Sequence, residues 1–263
     1  MGWNSYVAVG DSFTEGLDDP YDDGRGFRGW ADLVAAQLAT HAAADRPPGE
    51  KSDFRYANLA IRGKLFDQIV ADQLPAALEM RADLYSFAAG GNDALRRGFD
   101  LATLAAKFER VVEQLRGTGA DVVLFRWANV SVHLPARKTM ESRGKAINDM
   151  IVEIGDRQGA HVIDLWGDEA FDNRRLWGPD RLHMSPIGHQ RVAAHVLSSL
   201  GVPAEEEWLA AVPPPESLSW TRARAADARW AATHLAPWLK RRLTGKSSGD
   251  LLTPKRPTLE SVF

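Results

Sequence analysis

Ser12 stands in the run Gly10-Asp11-Ser12, directly after the short apolar stretch Tyr6-Val7-Ala8-Val9. A glycine at that junction lets the chain turn sharply and present a side-chain hydroxyl at the end of a strand. A serine hydroxyl is a poor nucleophile at neutral pH until a neighbouring base takes its proton, and imidazole has the matching basicity. His183, in Asp180-Arg181-Leu182-His183, is the candidate base. Asp180, three residues earlier, can curl back to the imidazole Nδ1–H, fix its tautomer and stabilise the imidazolium formed on attack. Taken alone, Gly-Asp-Ser describes a helix start with Ser12 as the capping residue. Its weight comes from its companions.

Acyl transfer through such a serine also needs donors aimed at the developing oxyanion and fixed before reaction. Three are on offer: the backbone N–H of Ser12, the N–H of Gly63 in Arg62-Gly63, and the side-chain amide of Asn92 in Gly90-Gly91-Asn92-Asp93. Singly, Gly63 reads as a turn glycine and Asn92 as a turn or Asx residue; jointly with Ser12 and His183 they describe a site. His189 competes with His183 as base, but it falls inside the helical pattern of residues 187–200 and is expected to be a structural histidine. Asp11 and Asp93 are expected to stabilise turns. No histidine pair has a metal-ligand spacing with an acidic partner. The acidic run Asp18-Asp19-Pro20-Tyr21-Asp22-Asp23-Gly24 lacks the ligand positions and terminal Glu of a calcium loop, so a solvated rim of the substrate cleft is expected there. Trp166 and Trp177 flank the histidine loop as candidates for core or for substrate stacking, and Arg96, Arg97, Arg174 and Arg175 lie near the same edge.

These blocks resemble those of the SGNH, or GDSL, hydrolases, a family named for a serine, a glycine, an asparagine and a histidine in separate blocks. Gly10-Asp11-Ser12-Phe13-Thr14-Glu15-Gly16 is similar to the first, Asn58-Leu59-Ala60-Ile61-Arg62-Gly63 to the second, Gly90-Gly91-Asn92-Asp93 to the third and Asp180-Arg181-Leu182-His183 to the last. The likeness spans residues 5–201. It implies a flavodoxin-like sandwich, hydrolysis of esters or thioesters, Ser12 as nucleophile, His183 as base, and Gly63 with Asn92 in the oxyanion hole. Phe13 stands where leucine is usual and Ala60 where glycine is frequent; neither position carries a catalytic group. The expected function is a serine esterase of lipase type working through an acyl-enzyme at Ser12, oriented by Asp180, without cofactor or metal. Thioesterase and sugar O-acetylesterase activities use the same residues. From another class, a binding or interaction module with a basic tail is the alternative, but no G-x-x-x-x-G-K-[ST] or G-x-G-x-x-G phosphate loop supports it.

The elements that must position these residues follow from periodicity. Short apolar, β-branched or aromatic runs at 6–9, 56–60, 84–88, 122–127 and 162–165 predict five strands buried on both faces. Between them, Leu101, Leu104, Phe108, Val111, Val112 and Leu115, and later Ile147, Met150, Ile151 and Ile154, follow helical spacing. Strand–helix alternation predicts a five-stranded parallel sheet in a three-layer α/β/α sandwich, with ligands beyond the strands' carboxyl ends. The chain's 263 residues, 44% hydrophobic and 25% charged, are ordinary globular usage, and the absence of cysteine excludes disulfides and thiolate chemistry. No apolar run approaches the roughly 18 residues of a membrane span, and the N-terminus lacks a signal-peptide pattern; a soluble, cytoplasmic protein acting on a small or lipid-derived ester is expected, with no nucleic-acid partner and an open oligomeric state. Residues 202–263 hold nine basic and seven acidic groups against 23 and 28 in residues 1–201. Together with Pro213-Pro214-Pro215 this predicts a catalytic domain over 1–201, a helical appendage over 202–243 docked through Trp220, Trp230 and Trp238, and a flexible basic tail over 244–263 whose removal would leave hydrolysis of a small ester unchanged.

Overall fold

The computed structural model describes residues 2–44, 52–134, 137–216, 219–243 and 247–263. Five parallel strands, β1 (Ser5–Gly10), β2 (Arg55–Asn58), β3 (Leu84–Ala88), β4 (Asp121–Arg126) and β5 (His161–Asp164), lie where the β-branched and aromatic runs predict them. The connecting helices are α1 (Ser12–Glu15), α2 (Gly29–Ala44), α3 (Phe66–Asp72), α4 (Leu74–Glu79), α5 (Gly91–Ala94), α6 (Leu101–Arg116), α7 (Arg137–Gln158) and α8 (Pro186–Ser199). Because strand side chains alternate, each strand feeds two cores. Tyr6, Ala8, Leu84 and Phe125 pack with Trp30 of α2 and Val192 of α8. Val7, Val9, Phe87 and Leu124 pack with Ile69 of α3, Phe108 of α6 and Ile151 of α7. The result is the three-layer sandwich. No helix among the described residues is long and apolar enough to cross a membrane.

The sheet has six strands, not five. Its order is β5-β4-β3-β1-β2-β6, and β6 (Arg256–Ser261) runs antiparallel to β2, with Arg55 opposite Ser261 and Asn58 opposite Arg256. This strand comes from the segment expected to be a flexible tail, of which residues 244–246 lie outside the described residues. Most of its side chains are exposed, so it has no apolar alternation to betray it; it is held by backbone pairing on the open edge of β2, where Pro257 is tolerated. Within the helical appendage expected over 202–243 lie α9 (Trp220–Trp230), a π turn (Ala231–Leu235) and α10 (Ala236–Leu243), with residues 217 and 218 outside the described residues. Trp220 does not dock: it is 75% exposed.

Lys255, just before β6, anchors the returning chain. Its ammonium faces the carbonyls of Glu15 (2.8 Å), Phe27 (3.0 Å) and Arg28 (2.6 Å) and pairs with the Asp32 carboxylate. Burial pushes the Lys255 ammonium down and the Asp32 carboxyl up, each towards neutrality, and the pair offsets this by mutual attraction. Breaking such a pair leaves one uncompensated buried charge. Lys255→Met is therefore expected to destabilise the fold by about 3–5 kcal/mol, a fall in Tm of about 10 °C, and Asp32→Leu added to it should recover part of the loss. A Lys255→Met protein melting like the parent would show that the tail is not anchored there.

Candidate active site

β1 lies between β3 and β2, so the chain leaves β1 towards one side of the sheet and later returns to the other. The crevice at that reversal is the natural ligand site of an open α/β sheet, and Ser12 and Asn92 sit on its two sides. Gly10 closes β1 because a Cβ there would lie 2.8 Å from the Ala88 carbonyl and 2.5 Å from Thr14 Oγ1. Its peptide is held on both sides by the buried Gln73 amide (3.0 and 2.9 Å). The capping residue of α1 is Asp11, not Ser12: Asp11 Oδ1 accepts the Phe13 N–H at 3.1 Å. That leaves the Ser12 hydroxyl for another partner.

The partner is His183. Ser12 Oγ lies 2.9 Å from His183 Nε2, and His183 Nδ1 lies 2.5 Å from Asp180 Oδ2. Asp180 Oδ1 accepts the backbone N–H groups of Leu182 (2.9 Å) and His183 (3.0 Å), so the loop curls as the short spacing predicts. Burial alone would raise the Asp180 pKa, but the His183 hydrogen bond and charge and these two N–H groups hold it well below the usual carboxylate range. An ionised Asp180 only accepts, so the imidazole proton sits on Nδ1 and Nε2 is free to receive the serine proton. For His183, burial works towards the neutral form, yet the Asp180 bond and the charges of Asp180, Asp18 and Asp11 outweigh it and raise the pKa above the ordinary histidine value.

His189 is a structural residue. It is fully buried, its Nδ1 accepts the Trp30 N–H (3.2 Å), and its Nε2 donates to the Leu17 carbonyl (3.1 Å). Burial pushes its pKa down to about 4, so it stays neutral and ties α2 to the loop after α1.

The donors are prepared unequally. Among the described residues neither the Ser12 N–H nor the Gly63 N–H has a protein acceptor. Gly63 has φ +75°, the left-handed region that favours glycine, and a Cβ on it would fall 2.3 Å from Ser247 Oγ and push that side chain aside. The turn is pinned by a pairing that sequence reasoning missed: the Arg62 guanidinium and its backbone N–H (2.7 Å) both engage the Glu15 carboxylate, and the guanidinium also lies over the Phe27 ring. Asn92 is already engaged. Its amide donates to Asp11 Oδ2 and to the Lys64 carbonyl, both at 3.0 Å, tying together the loops after β1, β2 and β3. Burial pushes the Asp11 carboxyl up to about 6. Asp93 accepts the Phe66 N–H (2.9 Å) and so holds the start of α3.

Two further residues reach the histidine loop, Trp230 from the appendage and Asp18 from the acidic run expected to rim the cleft. Trp230 of α9 donates its indole N–H to the Asp180 carbonyl at 2.8 Å, while Arg181, at the unfavourable φ of +66°, lies over the Trp230 ring and pairs with Asp227 at 2.9 Å. Asp18, in the loop read as solvated, is half-buried and brings a carboxylate oxygen within 4.8 Å of ligand atoms of Asp180 and His183. Both histidine nitrogens are already taken by Ser12 and Asp180, so a cation there would have to displace those bonds. The sequence points to Trp230 as a docking residue and to Asp18 as part of the rim, but not to their partners, since each contact joins distant segments.

Two cavities meet at Ser12, Asn92 and His183. The smaller, about 170 Å³, is walled by apolar side chains that include Phe13, Trp127, Trp166 and Trp177; Trp177 is buried, with its indole N–H on the Phe171 carbonyl (2.7 Å). The larger, about 640 Å³, opens between the Arg62-Gly63 turn and α9–α10, and Arg96 lines it. Arg174 instead braces the histidine loop through the Trp177 and Pro179 carbonyls.

The family described as GDSL-like lipase/acylhydrolase matches residues 8–191. YpmR, an uncharacterized protein of Bacillus subtilis (strain 168), is 24% identical over 229 residues, covering 76% of this chain and 83% of that protein. Among solved structures, an alpha/beta hydrolase enzyme from the metagenome of Lake Arreo, Spain, superposes with a TM-score of 0.62 at 19% identity, over 76% of this chain and 96% of that one. TesA does so at 0.58 and 22%, over 78% and 99%. A variant of Axe2, an acetyl xylan esterase from Geobacillus stearothermophilus, gives 0.61 and 18%, over 78% and 99%. At these identities the solved structures establish the shared fold.

Proposed function

The chain belongs to the GDSL-like lipase/acylhydrolase family, and from that premise we propose that it hydrolyses carboxylic esters through an acyl-enzyme on Ser12. The observation that carries the reading is the unbroken chain from Ser12 Oγ to His183 Nε2 (2.9 Å) and from His183 Nδ1 to Asp180 (2.5 Å). His183 takes the Ser12 proton as Oγ bonds to the ester carbonyl carbon, and Asp180 stabilises the imidazolium. The carbonyl oxygen becomes an oxyanion that accepts the open N–H groups of Ser12 and Gly63 and shares the amide of Asn92, which Asp11 and Lys64 hold in place. As the intermediate collapses, the bond to the alcohol oxygen breaks and His183 gives that oxygen its proton. Water then attacks the acyl carbon with His183 again as base, releasing the acid and restoring Ser12. All of these groups are the protein's own.

A fluorophosphonate probe mimics this attack, because phosphorus accepts the serine oxygen and then keeps it. The expected result is one adduct per chain, located on Ser12 by mass spectrometry and absent from the His183→Ala protein. An adduct on any other serine would overturn the assignment of the nucleophile.

A further inference from the structure

Two cavities of unequal size meet at Ser12, and the segment after the family-matched core lines the larger one. We propose that α9, the π turn and α10, together with Ser247 and Ser248, build the leaving-group site, and that the substrate is an ester joining a short apolar acyl group to a bulky, ring-bearing alcohol. This rests on the reading of Ser12 as the acylated residue.

The larger cavity is faced on one side by Trp230, His234, Pro237 and Trp238, and on the other by Arg62-Gly63 and Leu95. Its wall is fixed at both ends. Trp230 is bonded to the Asp180 carbonyl, Ser247 packs against Gly63, and a Cβ on Gly249 would fall 2.2 Å from the Arg62 carbonyl. Beyond it, Lys255 and β6 lock the chain to the sheet. None of this segment lies within residues 8–191.

Chemistry assigns the two parts of the ester. The alcohol must depart while the acyl group stays bonded to Ser12, and water must then enter. On the walls of the smaller cavity Ala128, Ile147, Leu165, Trp177 and Met184 are buried in the core, with Phe13, Trp127, Met140 and Trp166 half-buried beside them, so the acyl group that stays on Ser12 is placed here. The larger cavity is bounded by a surface helix segment whose residues are half-buried or exposed, so a product can leave past it. Its volume of about 640 Å³ falls in the range of ordinary ligand pockets, roughly 300–1,000 Å³, whereas 170 Å³ falls below it. Two indoles, an imidazole and a proline form a surface for rings, and Thr233, Ser247 and Ser248 add hydroxyls for polar substituents.

The test uses butyrate esters of methanol, benzyl alcohol and 2-naphthylmethanol, whose leaving groups are similar in acidity, and benzyl esters of acetate, butyrate and decanoate. In the parent protein kcat/KM is expected to rise at least tenfold from the methyl to the 2-naphthylmethyl ester, and to fall at least tenfold from butyrate to decanoate. Trp238→Ala removes ring surface, and Thr233→Trp fills the cavity from an exposed helix position. Each should cut the 2-naphthylmethyl-to-methyl ratio at least fivefold while the butyrate-to-decanoate ratio stays put. An alcohol ratio unmoved in both variants, or an acyl ratio that moves in its place, overturns the proposal. If Ser12 still takes the fluorophosphonate in that case, the leaving-group assignment alone has failed. A parent protein unlabelled at Ser12 removes the reading beneath it as well.

Discussion

Ser12→Ala lowers kcat for p-nitrophenyl butyrate by about 10³-fold or more and leaves the melting midpoint where it was. The size of the loss follows from the way nucleophile and base act as a unit: without Oγ, the proton that His183 is oriented to receive is gone, and removing either partner costs nearly as much as removing both. The fold is spared because Asp11, not Ser12, caps α1, and the backbone N–H at position 12 remains. A small residual rate is expected from the open N–H groups of residues 12 and 63, which still face an oxyanion. An Ser12→Ala protein that retains more than a few per cent of the parent activity would refute acyl-enzyme catalysis at this residue.

His183→Ala is expected to be as severe, and its contrast with His189→Gln separates two histidines only six residues apart. His189 is locked between the Trp30 N–H and the Leu17 carbonyl, so its replacement should lower Tm and leave kcat within about tenfold. Asp180→Asn should cost about 10²–10⁴ in kcat, because the amide can no longer hold the Nδ1–H tautomer. The pH profile adds a sign. Catalysis needs neutral His183, so activity is lost as pH falls through a pKa that Asp180, Asp18 and Asp11 hold above the ordinary histidine value. Removing the Asp180 charge lowers that pKa, so the acid limb of kcat/KM in Asp180→Asn must move to lower pH. A limb that stays in place, or moves up, would mean that Asp180 does not interact with the imidazole. A dead His189→Gln beside an active His183→Ala would reverse the choice of base.

The strands and the residues placed beyond them were legible because their signals are local. Apolar runs rich in β-branched and aromatic residues, such as Val122-Val123-Leu124-Phe125, read as strand, and they mark where loops begin. Asp180 and His183 are three residues apart, so the turn that joins them is a short-range matter of backbone geometry. Gly10 and Gly63 mark tight places in the chain, although what a Cβ would meet there, the Ala88 carbonyl and the Ser247 hydroxyl, is far away in sequence. Asp18 lies at the site as the rim reading expects, but half-buried and not fully solvated, because an acidic run has no pattern that says which carboxylate turns inward.

By itself, then, the sequence determined the alternation of strands and helices, the order of the loops carrying Ser12, Gly63, Asn92 and His183, and the compactness of the Asp180 turn. Each of these depends on residues near one another in the chain. Only the tertiary structure decided that residues 256–261 add a sixth strand, that Lys255 pairs with Asp32, that Glu15 grips Arg62, and that Trp230 holds the Asp180 carbonyl. The reason is physical. An edge strand is joined through backbone N–H and C=O groups that every residue carries, and a buried ion pair needs only one lysine and one carboxylate among many. Such contacts leave no periodicity to read, and their partners are chosen when the chain folds back over the sheet.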